Sequence, residues 1–496
     1  MNERDELENL LSDALPELPP DDIADFVNPW KRASTRVIAG LALTSITLNF
    51  LCLQYILPAV GTVLLLLGFR ALRKENGYFA ACRVLSVLRL LMLFVTLSLN
   101  ATVLPREALL QTLAYAAMPV HFALLLCFWR GVEAVRRKAG TTEKDNAAVW
   151  LPIWYVVVCL LALARYQGLI VPLMMLAAYI LILRSLYKLS GQIAAVGYAV
   201  RAADVRLSDR ALGLIAAGVI AAGILCGYLF FSGYPMAWEP AVPAGAQTEE
   251  IRDQLHDLGV PDYVLDDLSA DELEMLSGAV RAAVRSEQHR ISEGSGRTVE
   301  SQTGSPIRVL TENDRPELLV TGVAVELPGE GERWRVIHHF LWLSDPGFYG
   351  TECLQLWPAS HLEQGWSMEG EVTGRLLYDR NGLTLTAPYA SLGPVTWTAD
   401  TVFWGEQTST DIFASFSLPR SGEHKRGYLA YTVGEGQAGY IVDSWLNYTH
   451  QRSWAQYPVQ TAAEMRRQGV FQSGVFYTVQ TALQFFPGED GVKMLS

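Results

Sequence analysis

VIAGLALTSITLNFLCLQYILPAVGTVLLLLGF, residues 37–69, runs for thirty-three residues without a charge. As one straight helix it would be about 50 Å long at about 1.5 Å per residue, whereas a hydrocarbon core is only about 30 Å thick. The stretch therefore reads as two short helices meeting near Gln54 and Tyr55. Pro58 is expected in the first turn of the second, where a missing N–H costs little. Five further apolar runs follow, at residues 84–104, 108–129, 147–164, 169–189 and 211–231. The expected base is an α-helical polytopic membrane domain of about seven transmembrane helices, a multi-pass protein of the plasma membrane.

Charge tests that count. Residues 1–28 hold nine acids and one base, residues 29–232 hold twenty bases and seven acids, and residues 233–496 hold eighteen bases and thirty-five acids. Within the middle block, seventeen bases fall before span one or in the gaps after spans two, four and six, with Arg184 and Lys188 at the end of span six. Only Arg106 and Arg165 fall on the opposite side, and Arg89 lies inside span three. Lys and Arg loops stay on the cytoplasmic side, so the bias predicts a cytosolic N-terminus and an extracytoplasmic C-terminal domain. A single crossing over 37–69 would put the basic groups at 31–36 and 70–74 on opposite sides, which favours the hairpin.

Two polar residues inside the spans are singled out. Arg89 would cost about 2.5–3.5 kcal/mol at a helix centre on insertion scales. Some five residues inside the cytoplasmic end of its expected span, it can instead snorkel to the interface. His121, two residues after Pro119, reads as a packing partner for a freed carbonyl or, more sharply, as a proton relay. Gly213, Gly218, Gly223 and Gly227 of span seven let helices approach closely, which points to packing inside the bundle. No acid lies within any span and no repeat relates two halves, which weighs against a transporter without removing it.

The flanking regions divide by composition. Residues 1–36 form an acidic cytosolic tail with an amphipathic helix over 1–18, suited to rest on basic loops or to dock a cytosolic partner protein. Met1–Asn28 lacks the basic start of a secretory leader, so the first apolar run is expected to do the targeting, uncleaved. Residues 37–232 are the membrane domain, and residues 233–247, with Pro235, Pro240 and Pro243, a Pro-rich extended spacer in which Trp238 could sit at the interface. Residues 248–296 read as a small helical subdomain whose third helix runs from Ser269 to about Glu287, with Ser269 and Glu272 as a capping box. From there to 496 the period is that of strands, about ten of them, with a short helix near Thr461–Gln468. This predicts a β-sandwich or jelly-roll-like domain. Of six cysteines only Cys353 lies in the last 264 residues, so this domain must be stabilised by its core without an internal disulfide.

Nine of thirteen tryptophans lie after residue 232. Core packing is their ordinary use. If some form a stacking platform for sugar rings, Trp357, Trp366, Trp397 and Trp404 lead, because Gly, Pro and Ser surround them. Adjacent His338 and His339 point to opposite strand faces and cannot easily share a metal. Adding Glu352, His361 or His424 gives no recognised ligand spacing. There is no G-x-S-x-G, H-E-x-x-H, Walker loop or CxxC, so no cofactor, metal or catalytic residue is assigned. An outer segment of net charge −17 is a poor match for nucleic acid. The first reading is a membrane protein presenting an acidic, aromatic-rich β-domain for ligand binding or sensing, with an envelope glycan as possible partner. The alternatives are a small-solute transporter or channel, with His121 and Arg89 as the residues to test, and an envelope hydrolase acting on glycans or lipids.

Overall fold

A computed structural model describes residues 29–45, 50, 52–140, 147–164, 166, 168–201, 207–243, 245–291, 297–300, 306–309, 316–361, 365–401, 405–437, 439–470, 473–488 and 491–495. The amphipathic stretch expected at 1–18 lies outside them. The chain forms two compact units: residues 1–100 with 105–227, and residues 101–104 with 228–496.

The first unit is a helical bundle: α1 Pro29–Ser45, α2 Leu53–Leu72, α3 Gly77–Leu99, α4 Glu107–Ala139, α5 Ala147–Leu163, α6 Ile170–Ala195 and α7 Asp209–Phe231, whose last turn from Tyr228 belongs to the second unit. Five of these (α2, α3, α4, α6 and α7) are long and apolar enough to cross a membrane; α1 and α5 are 17 residues each. The opening stretch is divided between α1 and α2. Gln54 and Tyr55 lie inside α2, and Pro58 is its sixth residue, so the expected first-turn position is corrected by one turn. α1 and α2 pack closely because glycines face each other: a Cβ on Gly40 would meet the Gly61 carbonyl oxygen at 2.7 Å, and one on Gly68 would meet Val37 Cγ2 at 2.5 Å. Asn76 caps α3, its side chain accepting from Phe79 N at 2.9 Å. In α7 a Cβ on Gly223 would press on Phe94 Cε2 of α3 at 2.6 Å, so this glycine packs within the bundle, whereas Gly213 and Gly218 face open space.

The second unit is β-rich and antiparallel throughout. Its strands are β1 Glu239–Pro240, β2 Ala282–Arg290, β3 Arg297–Glu300, β4 Pro306–Val309, β5 Glu317–Glu326, β6 Arg333–Trp342, β7 Glu352–Trp357, β8 Trp366–Arg380, β9 Leu383–Ala387, β10 Ser391–Thr401, β11 Gly405–Phe416, β12 Glu423–Glu435, β13 Val442–Gln451, β14 Phe476–Gly488 and β15 Gly491–Met494. A seven-stranded sheet has the order β1-β9-β8-β12-β6-β5-β2 and a six-stranded sheet the order β10-β11-β7-β13-β14-β15; β3 and β4 pair separately. Trp334, Phe340, Leu429 and Tyr431 of the first sheet share one core with Leu354, Phe416, Tyr448 and Phe485 of the second. Turn chemistry sets the β8–β9 hairpin, where Asn381 and Gly382 both have positive φ (54° and 75°).

Short helices α8 Glu249–Asp257, α9 Asp262–Leu265 and α10 Ala270–Met275 cover the other face of the seven-stranded sheet, packing Leu255, Val264, Leu268 and Leu273 on Val323, Ile337 and Ala430. The third helix therefore stops at Met275 instead of continuing to Glu287. Residues 282–290 are strand β2, paired with β5 from Ala282–Val325 to Arg290–Glu317. Ser269 Oγ accepts from Glu272 N at 3.2 Å, but the Glu272 side chain turns away to a buried Arg335, with Nε to Oε1 at 2.6 Å and Nη2 to Oε2 at 3.0 Å. The capping box is thus half formed. A short helix, α11 Ala462–Arg467, has the full box from Thr461 and Glu464.

The Pro-rich stretch is extended, as its composition requires, yet it is bonded rather than free. Tyr234 N donates to Ser417 Oγ at 2.9 Å, Trp238 sits edge-on to Tyr378 at 4.7 Å, and β1 pairs with Leu385 and Thr386 of β9.

Arg335 and Glu272 are 3% and 1% exposed, so removing one partner strands a buried charge. Glu272→Ala should destabilise the protein by about 3–5 kcal/mol. The double variant Glu272→Leu/Arg335→Met should lose less than either single change, as measured by denaturant unfolding of the full chain in bilayer discs.

Candidate functional site

Alternation along β13 decides which side chains the six-stranded sheet shows on its outer face. Ser444, Leu446 and Tyr448 are buried, the latter two within the core shared by the sheets; Asp443, Trp445, Asn447 and Thr449 therefore point the other way. Trp445 lies opposite Trp357 of β7, and Asp443 opposite Gln484 of β14. The two half-buried indole rings have centroids 6.4 Å apart, tilted by 51°. Asp443 Oδ1 accepts from Trp445 Nε1 and from Gln484 Nε2, each at 2.7 Å. One step along the strands, Gln480 Nε2 donates to Asn447 Oδ1 at 3.0 Å, while Asn447 Nδ2 is buried without a hydrogen-bond partner.

Next to this pair, Asp411 gathers three donors at 2.6 Å: Gln355 Nε2 and Trp397 Nε1 on Oδ2, and Ser409 Oγ on Oδ1. Arg466 of α11 donates to Gln355 Oε1 at 2.7 Å, and burial pulls its guanidinium down to about 10. Two of the four tryptophans expected as a platform, Trp357 and Trp397, therefore flank Asp411 on one face. Trp366 is elsewhere, buried in the shared core with Nε1 donating to the Ile441 carbonyl at 2.9 Å. Trp404 lies outside the described residues. Trp445 and Asp443, which complete the aromatic and carboxylate pair, were not singled out from sequence, because cross-strand register decides their position.

The bundle holds a second polar centre. Arg89 is the thirteenth of 23 residues in α3, which starts at Gly77, before the expected start of the span at residue 84. Arg89 Nη1 bonds to His121 Nδ1 of α4. A guanidinium only donates, so Nδ1 accepts and the ring proton is on Nε2. The Tyr155 ring stands edge-on to His121 with centroids 4.7 Å apart. His121 thus meets Arg89 of the neighbouring helix. An aromatic-lined cleft of about 400 Å³ in the same unit is bordered by Trp154, Tyr166 and Tyr179, with Trp154 stacked on Tyr179 at 4.3 Å.

The other titratable groups are structural in their geometry. His338 Nε2 meets Ser444 Oγ at 2.8 Å, and full burial pushes its imidazole down to about 3. His339, on the opposite strand face, donates through Nε2 to Asp267 at 2.7 Å. Burial opposes ionisation of Asp267, but His339 and Arg426 prevail and hold its carboxyl below the usual range. Glu352 is bonded to His450 at 2.8 Å; burial raises its carboxyl more than that partner lowers it. His424 meets Asp379 at 3.0 Å. Among the described residues, no three ligand-type side chains converge on a metal position.

No protein-family model matches the chain, and no curated protein does. Among solved structures, one titled "Pore forming protein" is 6% identical, with 44% of this chain and 96% of that chain covered and a TM-score of 0.19. The KRT10-binding region domain of the pneumococcal serine rich repeat protein PsrP is 10% identical, with 41% and 99% covered and a TM-score of 0.17. Clostridium perfringens delta-toxin is 7% identical, with 44% and 93% covered and a TM-score of 0.17. Scores this low carry no argument about the chain.

His338 gives a pH signature. The unfolded chain takes up its proton near 6.5 and the folded chain not until about 3, so this contribution to stability is complete above 6.5 and is lost as pH falls through that window. A melting-temperature profile of His338→Asn should have a flatter acid limb between 6.5 and 3 than the parent.

Proposed function

We propose that this chain is an integral membrane protein that presents its C-terminal β unit, read as a β-sandwich, outside the cell as a binding module. All seven bundle helices are taken to cross the bilayer, α1 and α5 included, with the N-terminus in the cytosol. The seventeen-to-two distribution of basic residues supports that orientation. The observation that carries the binding reading is the Trp357–Trp445 pair beside Asp443 and Gln484. Two half-buried indoles for stacking and a carboxylate and amide for hydroxyl groups are the chemistry a sugar ring requires. An envelope glycan is therefore the ligand class.

One observation favours a second reading. The Arg89–His121 pair at mid-helix and the aromatic cleft of the same unit are polar and concave features of the kind that mark solute paths in membranes. Small-solute passage through the bundle is accordingly the alternative, with His121→Ala and solute flux as its test. The Asp267–His339 and Glu352–His450 pairs are buried in the protein core, which favours structure over hydrolysis.

A reporter active only outside the cytosol, fused after Ser496, should be bright; silence there together with a bright cytosolic reporter would overturn the orientation. For the ligand, the full chain in bilayer discs should retain envelope glycans. Trp357→Ala or Trp445→Ala should each weaken retention about fivefold, for a stacking contribution of about 1 kcal/mol. Retention unchanged in both variants would sink the platform.

A further inference from the structure

Trp454 is the one tryptophan of the β-rich unit, among the described residues, whose ring stands out in the open. It is 70% exposed, although its backbone is well fixed. Gln451 Nε2 donates to the Ser453 carbonyl at 2.9 Å, Arg452 N to the Val475 carbonyl at 2.8 Å, and Gln456 N to the Trp454 carbonyl at 2.7 Å. A large apolar ring held outward by an ordered loop is open to an occupant.

The loop's surroundings identify that occupant. Tyr228, in the last turn of α7, donates its hydroxyl to the Gln456 carbonyl. The next residues of that turn, Phe230 and Phe231, are 73% and 44% exposed, and α7 is among the helices apolar enough to cross a membrane. The loop is therefore tied to the end of a membrane helix, where the water–lipid boundary falls. Residues 453–461, SWAQYPVQT, carry no charge, inside a segment whose net charge is −17. Trp and Tyr rings concentrate at that boundary because they are apolar bodies with one polar edge. We infer that the 453–457 loop is a membrane-contact surface of the β unit, with Trp454 seated among the upper acyl chains and glycerol groups of the bilayer. Trp238, the tryptophan that composition alone favours for this role, is engaged by Tyr378.

This rests on α7 as a membrane span and is separable from it by photolabelling. The full chain is reconstituted in phosphatidylcholine discs containing a phosphatidylcholine with a diazirine near the carbonyl end of its acyl chain. After illumination, peptides covering 453–460 and the α7 peptide ending at Phe231 should both carry lipid adducts. Trp454→Ala should lower the 453–460 adduct about tenfold with melting temperature unchanged, since the ring has few protein contacts to lose. Adducts on α7 with none on 453–460 would overturn the loop proposal and leave the span intact. Absence from both would overturn the two together.

Discussion

Burial of the seven-stranded sheet on both faces is the constraint that most of the β-rich unit answers. β6 and β12 have the six-stranded sheet on one side and α8–α10 on the other, so each residue must suit one of two interiors. Odd and even positions of β6 separate cleanly: Trp334, Val336, His338, Phe340 and Trp342 are buried on one side, Arg335, Ile337 and His339 on the other. Polar groups placed in either interior need partners there. Arg335 finds Glu272, His339 finds Asp267, and His338 finds Ser444. Through the first two contacts, α10 and the segment joining α9 to α10 are bonded to the sheet as well as packed on it.

The same constraint explains what sequence could and could not reveal. The strand character of the residues beyond 306 was legible, as was the short helix near Thr461–Gln468. β2 was not, because AAVRSEQHR has helix-forming residues and only its pairing with β5 makes it a strand; tertiary context overrides propensity here. The Ser269–Glu272 signature led the reading further into helix. Glu272 is instead required by Arg335, 63 residues away, and no local pattern announces such a partner. Of the expected platform, Trp357 and Trp397 share a face, but the ring that completes the pair, Trp445, follows from a register that composition does not encode.

In the bundle, apolar length was the legible signal and helix ends were not. Runs of uncharged residues mark where helices must be, whereas α3 and α4 continue well past those runs, α3 beginning at Gly77 and α4 reaching Ala139. Extending α3 toward its N-terminus moves Arg89 from near an end to the middle. There the two polar residues that sequence analysis named separately become one bonded pair. Their relation is a property of helix packing, thirty-two residues apart in sequence.

The bonded Pro-rich stretch leaves little free chain after the end of α7. Between Phe231, which ends α7, and Tyr234, which is fixed to Ser417, only Ser232 and Gly233 are left. At about 3.3–3.6 Å per residue such a segment reaches about 10 Å, where a free Pro-rich spacer of fifteen residues would reach several times as far.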